Sequence, residues 1–277
     1  MGGSSSRARF RNGASPDVDA EGPGANVATL DDRLVDDRVS RLLHELGHVQ
    51  PAACCAGAAG AEVPDGRARL ESLLQRLLPG SRVCVVHDAR LVLAAAGLES
   101  GVALIAGTGS VAYGRTRDGT EMQRGGWGWM LGDEGSGVWI TREAARLVMI
   151  RAEAGSPIGA LGEAMLNATD TGGAREMVRE LHSRREPMRW AELASVVFDT
   201  ATQDEGARDI VRRAGAELAR LVERLNIDGP VVLAGGLLLH QRALEQTVRD
   251  ALDRECVRLQ QPPVEGAVRL AEELLHS

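Results

Sequence analysis

Hydrophobic residues in this chain form short apolar runs that alternate with stretches of helical spacing. Apolar positions recur with a 3.6-residue period from Leu30 to Leu46 and from Arg67 to Leu78, which predicts two helices. Apolar runs over 82–86 and 102–106 predict buried strands, and a helix of small residues is predicted over 89–96. This alternation is typical of an α/β fold.

The second half of the chain is predicted to be mainly helical. Strands over 111–115 and 120–124 flank the turn dipeptide Asp118-Gly119, which indicates a hairpin. Beyond the hairpin, helices are expected as far as Leu225, with at most two apolar strands in this half. The remaining predictions are a strand over 231–234, a linker over 261–263 and an amphipathic helix over 267–275.

The charge balance disfavours polyanionic partners. The chain has 277 residues and a net charge near −7, with 39 acidic against 32 basic residues, so neither nucleic acid nor a membrane is an expected partner. Every basic residue counted is an arginine. Without lysine, a P-loop and Schiff-base chemistry are both excluded.

The cysteines and the chain start point to the cytoplasm. Cys54, Cys55, Cys84 and Cys256 lack metal-ligand spacing, and we interpret them as reduced thiols, three of them buried. No apolar run reaches about 18 residues, and the first residues lack the apolar core of a signal peptide. We therefore expect a cytoplasmic protein.

Two glycine-rich segments are the main candidates for chemistry. Gly107-Thr108-Gly109-Ser110 directly follows a predicted strand, so it is either a phosphate-binding turn or a plain hairpin turn. The loop 125–137 holds six glycines, two tryptophans and two acids, which favours a ligand site. Trp127 and Trp129 are either an apolar wall or core residues. Asp133 and Glu134 either bind hydroxyls or hydrated Mg²⁺, or cap the helix that begins near Ser136.

Asp88 lies where a strand ends and a helix begins. Open α/β sheets present catalytic groups at such strand ends. Its carboxylate is either a general base toward an alcohol attacking a phosphoryl group or simply the cap of the helix. The neighbouring His87 receives no functional role.

These motifs together resemble the N-acetylglucosamine kinase branch of the BadF/BadG/BcrA/BcrD ATPase family. The likeness is strongest at 107–110, 125–128 and 132–136, and it extends over nearly the whole chain. It implies an actin-like, ribonuclease H-like α/β fold of two related domains. The implied domains are residues 1–100, lacking their first strand, and 101–265, with residues 266–277 forming a helix that returns to the first domain.

The resemblance also implies roles for individual residues. Asp88 corresponds to the general base for the sugar 6-hydroxyl. The substrate-binding positions implied are Asn26, Gly125, Gly126, Trp127 and Asp133. The ATP-binding positions implied are Gly3, Ser4, Thr108, Gly109, Gly235 and Gly236. ATP and Mg²⁺ are the implied cofactors, an amino sugar the implied small-molecule partner, and a homodimer the implied assembly.

The chain departs from the family pattern at its beginning. Family members open with a buried strand ending in an Asp that holds Mg²⁺, whereas residues 1–8 here align with the turn that follows it. The metal ligand is therefore expected upstream of Met1, with Glu134 as a further candidate. We expect a start codon assigned too late, the alternative being a weakened kinase or a pseudoenzyme.

Three functions are weighed on this basis. The leading hypothesis is an ATP-dependent kinase acting on the 6-hydroxyl of N-acetylglucosamine, or of glucosamine or N-acetylmuramic acid. The second is an amino-sugar sensor that no longer transfers phosphate. The third, a dehydratase-activating ATPase, requires cluster-binding cysteines, which do not follow the 107–110 turn.

Overall fold

The computed structural model describes residues 1, 5–47, 49–61 and 63–276. The elements in chain order are β1 (Ser5–Phe10), β2 (Val18–Pro23), α1 (Asp32–Glu45), β3 (Ala53–Ala58), α2 (Pro64–Leu77), β4 (Arg82–His87), α3 (Asp88–Ala95), β5 (Gly101–Ala106), β6 (Ser110–Arg115), β7 (Glu121–Gly125), α4 (Gly137–Glu153), α5 (Gly159–Ala168), α6 (Ala174–Ser183), α7 (Pro187–Ala191), α8 (Ala194–Thr200), α9 (Glu205–Glu223), β8 (Val231–Ala234), α10 (Gly236–His240), α11 (Arg242–Ala251), β9 (Cys256–Arg258) and α12 (Pro263–His276). None of the helices in these described ranges is long and apolar enough to cross a bilayer.

The chain forms two compact units. Unit 1 comprises Met1–Glu99 together with Leu259–Ser277, and unit 2 comprises Ser100–Arg258. The segment that returns to unit 1 begins at Leu259, whereas the sequence analysis predicted that it begins at residue 266.

Unit 1 is built around the parallel pair β3 and β4, which α2 connects. On one face of this pair α1 and α2 bury a core that includes Val35, Leu70 and Val85. On the other face α3 packs closely against α12, because Gly266 leaves no side chain where a Cβ would overlap the Leu91 carbonyl oxygen. Helices therefore cover both faces, as expected for a buried parallel sheet. The antiparallel pair β1 and β2 forms a separate hairpin.

Unit 2 contains a mixed sheet with the strand order β7-β6-β5-β8-β9. Strands β5, β8 and β9 run parallel, and β6 and β7 are antiparallel to their neighbours. The strand interiors are fully buried against helices, with Leu104, Leu233 and Leu218 at or near zero exposure. The α/β prediction is confirmed.

One local prediction is wrong, and one strand was not predicted. Residues 261–263 are not simply a linker, because Pro263 begins α12, which fits the tolerance of a first helical turn for proline. Strand β9 was not predicted, since Cys256–Arg258 is too short to show an alternating pattern of its own.

Candidate active site

Two glycine turns of unit 2 lie side by side. The turn 107–110 follows β5 and the turn 235–236 follows β8, and these two strands are parallel neighbours. The turns therefore emerge at the same sheet edge, and a Cβ on Gly107 would lie 3.9 Å from the Gly236 nitrogen. Ligands bind at this edge in open α/β sheets. The structure thus brings together four of the six predicted ATP-binding positions, Thr108, Gly109, Gly235 and Gly236.

The first of these turns presents unused backbone donors. The Gly107 N–H donates to the Gly109 carbonyl, and the Gly107 carbonyl accepts the N–H of Gly137, each at 2.9 Å. Within the described part of the chain, the N–H groups of Thr108 and Gly109 have no backbone acceptor. Consecutive outward N–H groups are what an anion-binding turn requires.

The Asp133 carboxylate ties the long glycine loop to this turn. A Cβ on Gly109 would lie 2.7 Å from the Asp133 Oδ2 atom, and the backbone N–H groups of Ser110 and Gly128 act to lower the pKa of Asp133. Asp133 is 7% exposed and has a φ of 57°, a strained conformation for a non-glycine residue. Burial raises the pKa of this carboxyl group above its ordinary value.

The predicted sugar-binding glycines also lie beside Ser110. Gly125 and Gly126 have φ angles of 76° and 71°, and the Gly126 N–H donates to the Ser110 carbonyl at 2.9 Å. Trp127 follows with 79% of its surface exposed, so the alternative that it packs in the core is wrong. Gly125, Gly126, Asp133 and the 107–110 turn thus form one cluster, from which Trp127 projects into solvent.

The acids of this loop do not cap α4. Ser136 is the N-cap, and its Oγ atom accepts the N–H of Trp139 at 3.2 Å, so the capping alternative for Asp133 and Glu134 is wrong. Trp129 is half-buried against Trp190, with ring centroids 6.3 Å apart. Trp129 therefore anchors the end of the loop, whereas Trp127 does not.

Unit 1 carries the other predicted residues at one sheet edge. Asp88 directly follows β4, and Asn26 lies beside the end of β3, where a Cβ on Gly60 would meet the Asn26 Oδ1 atom at 2.8 Å. That oxygen also accepts the N–H of Ala28 at 2.9 Å. Since β3 and β4 are parallel, Asn26 and Asp88 lie at the same end of this strand pair.

Asp88 does not cap the helix that it begins. The cap of α3 is His87, whose Nδ1 atom accepts the N–H of Ala89 at 3.1 Å. The Asp88 carboxylate is about one-third exposed, and its Oδ1 atom lies 3.2 Å from the His87 Nδ1 atom. The capping alternative is wrong, and the carboxylate is available to a proton donor.

Other predicted positions remain outside this geometry. Gly3 and Ser4 lie outside the described residues. Among the described side chains there is no group of three metal-ligating residues. The backbone carbonyl of Glu134 accepts a hydrogen bond from the Ser110 hydroxyl at 2.8 Å.

Two contributors to the site were missed by the sequence analysis. His87 gave no signal beyond its position before a helix, because histidine is not a preferred N-cap residue. Met188 of α7 contacts the Thr108 hydroxyl through its sulfur at 3.4 Å, across 80 residues of chain. No local pattern encodes such a contact.

Sequence comparison identifies kinases of amino sugars as relatives. Over 121 residues the chain is 35% identical to an N-acetylmuramic acid/N-acetylglucosamine kinase of Clostridium acetobutylicum, a match covering 42% of this chain and 39% of that protein. Over 202 residues it is 23% identical to an N-acetyl-D-glucosamine kinase of Dictyostelium discoideum, a match covering 68% of this chain and 63% of that protein. The chain therefore matches less than two thirds of the length of either relative.

Structure and family comparisons extend over most of the chain. A solved protein of Chromobacterium violaceum, provisionally named an N-acetylglucosamine kinase, superposes with a TM-score of 0.77 at 26% identity, covering 98% of this chain and 96% of that one. The model of the BadF/BadG/BcrA/BcrD ATPase family matches residues 26–271. The chain belongs to the BadF/BadG/BcrA/BcrD ATPase family.

Proposed function

We propose that this protein is an ATP-dependent kinase that phosphorylates the 6-hydroxyl of N-acetylglucosamine or a related amino sugar. The observation that carries the proposal is the pair of adjacent glycine turns after β5 and β8, with the N–H groups of Thr108 and Gly109 open to an anion. The names of the relatives supply the substrate class, and membership of an ATPase family supports ATP as the phosphoryl donor.

In the proposed reaction unit 2 binds ATP. Phosphoryl transfer depends mainly on positioning and on neutralising charge, because the protein does little covalent chemistry. Thr108 and Gly109 donate backbone N–H groups to phosphate oxygens, and the Gly235–Gly236 turn binds the adenosine side. Arginine is the only cationic side chain of fixed charge available, so backbone amides carry much of this work.

Asp88 accepts the proton of the attacking sugar hydroxyl. Its carboxylate suits this role because His87, rather than Asp88, caps α3. A positioned general base typically contributes about 10²–10⁴-fold to a rate. Asn26, Gly125, Gly126, Trp127 and Asp133 are proposed to bind the sugar, with Trp127 supplying an apolar face.

Mg²⁺ is proposed to accompany ATP. The described side chains include no cluster of three ligands, which fits a cation that keeps several waters and is held mostly by substrate phosphates. When bound, the cation neutralises phosphate charge. Glu134 is the proposed protein ligand among the described residues.

A cytoplasmic homodimer is proposed for the assembly on the strength of the family resemblance, and sedimentation analysis tests it.

The direct test is ADP release from Mg²⁺-ATP in the presence of N-acetylglucosamine, N-acetylmuramic acid, glucosamine or glucose. Wild-type protein is expected to turn over an amino sugar, and Asp88→Asn is expected to lose at least about a hundredfold in kcat. Asp65→Asn is the matched control, because Asp65 occupies the first turn of α2 as Asp88 does that of α3.

One result would contradict the kinase proposal, and another would contradict only the role of Asp88. One is sugar binding without ADP release in protein that also binds ATP, which would establish an amino-sugar sensor instead. The other is equal turnover by Asp88→Asn and Asp65→Asn, which would remove Asp88 as the base.

A further inference from the structure

Two cysteines of unit 1 face each other across neighbouring strands. Cys55 of β3 and Cys84 of β4 are direct partners in the register of the parallel pair. Parallel strands lie about 4.8 Å apart, which falls within the range of Cα separations that a disulfide spans. The register therefore places the two Cα atoms at a separation that a disulfide can span, although 28 residues separate them in sequence.

Packing shows that both thiols belong to one face of the strand pair. Cys55 and Val86 pack against Leu91 of α3 and Leu270 of α12. Val86 is two residues beyond Cys84, so the alternation of side chains along β4 puts Cys84 on the same face.

Cys54 lies on the opposite face. It packs against the core that includes Leu70 and Val85, with Ala56 and Val83 beside it. The neighbouring cysteine in sequence is therefore not the one that shares a face with Cys84.

Both thiols are half-buried, so the expectation that three of the cysteines are buried is wrong. A side-chain hydrogen bond from Cys55 lowers the pKa of Cys84 and raises that of Cys55. Cys84 is thus the sulfur that ionises more readily, and the thiolate is the reactive form of cysteine.

We propose that Cys55 and Cys84 form a dithiol that hydrogen peroxide oxidises to a disulfide linking β3 to β4. The Cys84 thiolate attacks one peroxide oxygen, the O–O bond breaks, and the departing hydroxide takes a proton to leave as water. The Cys55 sulfur then displaces the hydroxyl group from the Cys84 sulfenic acid. The S–S bond forms, and the hydroxyl leaves as a second water with the Cys55 proton.

The experiment maps the cross-link by mass spectrometry of the full chain. Protein treated with hydrogen peroxide is quenched with N-ethylmaleimide and digested with trypsin, which cleaves this lysine-free chain only after arginine. Cys84 then lies in peptide 83–90, and Cys54 and Cys55 lie in peptide 42–67. The expected product is these two peptides joined, two hydrogens lighter than their sum, and separated again by dithiothreitol.

Two variants assign the bond. Cys54→Ser is expected to retain the cross-link, whereas Cys55→Ser is expected to lose it and to trap the Cys84 sulfenic acid as a dimedone adduct on peptide 83–90. The proposal is overturned if wild-type protein yields both peptides separately with every thiol alkylated. It is also overturned if the cross-link persists in Cys55→Ser, since Cys54 would then be the partner.

Discussion

The Nδ1 atom of His87 lies 3.2 Å from Oδ1 of Asp88 and at the same time accepts the N–H of Ala89. Nδ1 thus lies between the backbone N–H at the start of α3 and a carboxylate oxygen. The buried imidazole thus satisfies the start of α3 while packing beside the carboxylate proposed as the base. Because His87 caps α3, the Asp88 carboxylate does not serve as the cap.

Removing the imidazole is expected to affect both the helix and the carboxylate. His87→Ala leaves the start of α3 without its cap and should lower the free energy of unfolding by about 1 kcal/mol. In the proposed reaction it should lower kcat more than it changes KM, because Asp88 becomes free to cap the helix. Denaturant titration measures the first effect and ADP release the second.

His87→Asn is the matched control for that change. Its side-chain oxygen can accept the Ala89 N–H, and asparagine is a favoured N-cap residue. It should recover most of the stability and turnover that His87→Ala loses. If the alanine and asparagine variants have equal free energies of unfolding and equal kcat, capping by His87 contributes to neither stability nor turnover.

Gly235 is expected to tolerate no side chain. It has a φ of 89°, and a Cβ there would overlap the carbonyl oxygen of Ala106, which belongs to strand backbone and cannot turn aside. Gly235→Ala should therefore lower the free energy of unfolding by about 3 kcal/mol or more and weaken ATP binding. Thermal unfolding with and without ATP measures both effects.

Gly128→Ala separates the clash from the strained backbone. Gly128 has a φ of 84°, but a Cβ there would meet nothing within 4 Å. Gly128→Ala should therefore lower the free energy of unfolding by only about 1 kcal/mol, because only the left-handed backbone conformation disfavours alanine there. If the two alanine variants unfold alike, close packing between the turn and β5 is not what requires glycine at 235.

The elements that the sequence predicts well are those with a local signature. The apolar runs 82–86 and 102–106 lie in β4 and β5, which are followed directly by Asp88 and by the 107–110 turn. A strand-to-turn transition is visible in neighbouring residues, because burial and glycine both act within a few positions.

The contacts that complete the site could not be predicted in this way. Asp133 contacts Gly109 across 24 residues of chain, and this contact depends on how the two loops fold back together. His87 was assigned no role because its capping depends on Nδ1 geometry rather than on residue preference. Tertiary structure decides both.

Neutralising Asp133 is expected to change how stability depends on pH. Burial raises the pKa of this carboxyl in the folded protein, so its contribution to stability is fully present below the unfolded pKa, near 3.9, and is lost as pH rises through the folded value. The Asp133→Asn variant has no titrating carboxyl at this position, so it does not lose stability in this way as pH rises. Relative to the variant, wild type should therefore become less stable as pH rises from 4 upward.

Urea unfolding of both proteins across a pH series measures this difference. The Asp133→Asn variant should also bind amino sugar more weakly, since the proposed site uses the carboxylate. A stability difference that stays constant from pH 4 to neutrality would contradict the effect of burial.

Asp204 is expected to contribute stability with the opposite pH dependence. It accepts two hydrogen bonds from Arg151, at 2.8 and 3.0 Å, and caps α9 through the N–H groups of Gly206 and Ala207. The Arg151 guanidinium is the main cause that lowers the Asp204 pKa to about 2. The carboxyl is 5% exposed, so solvent screens the pair little.

The stability from Asp204 is present above the unfolded pKa, near 3.9, and is lost as pH falls through the folded value near 2. It amounts to about 2 kcal/mol, of which about 1 kcal/mol should be lost by pH 3. Asp204→Asn should therefore be markedly less stable than wild type at pH 6, with the gap narrowing toward pH 3. Asp209→Asn, at an exposed pair with Arg212, is the control and should cost less than about 1 kcal/mol. A gap for Asp204→Asn that does not narrow on acidification would show that the ion pair with Arg151 does not stabilise unit 2.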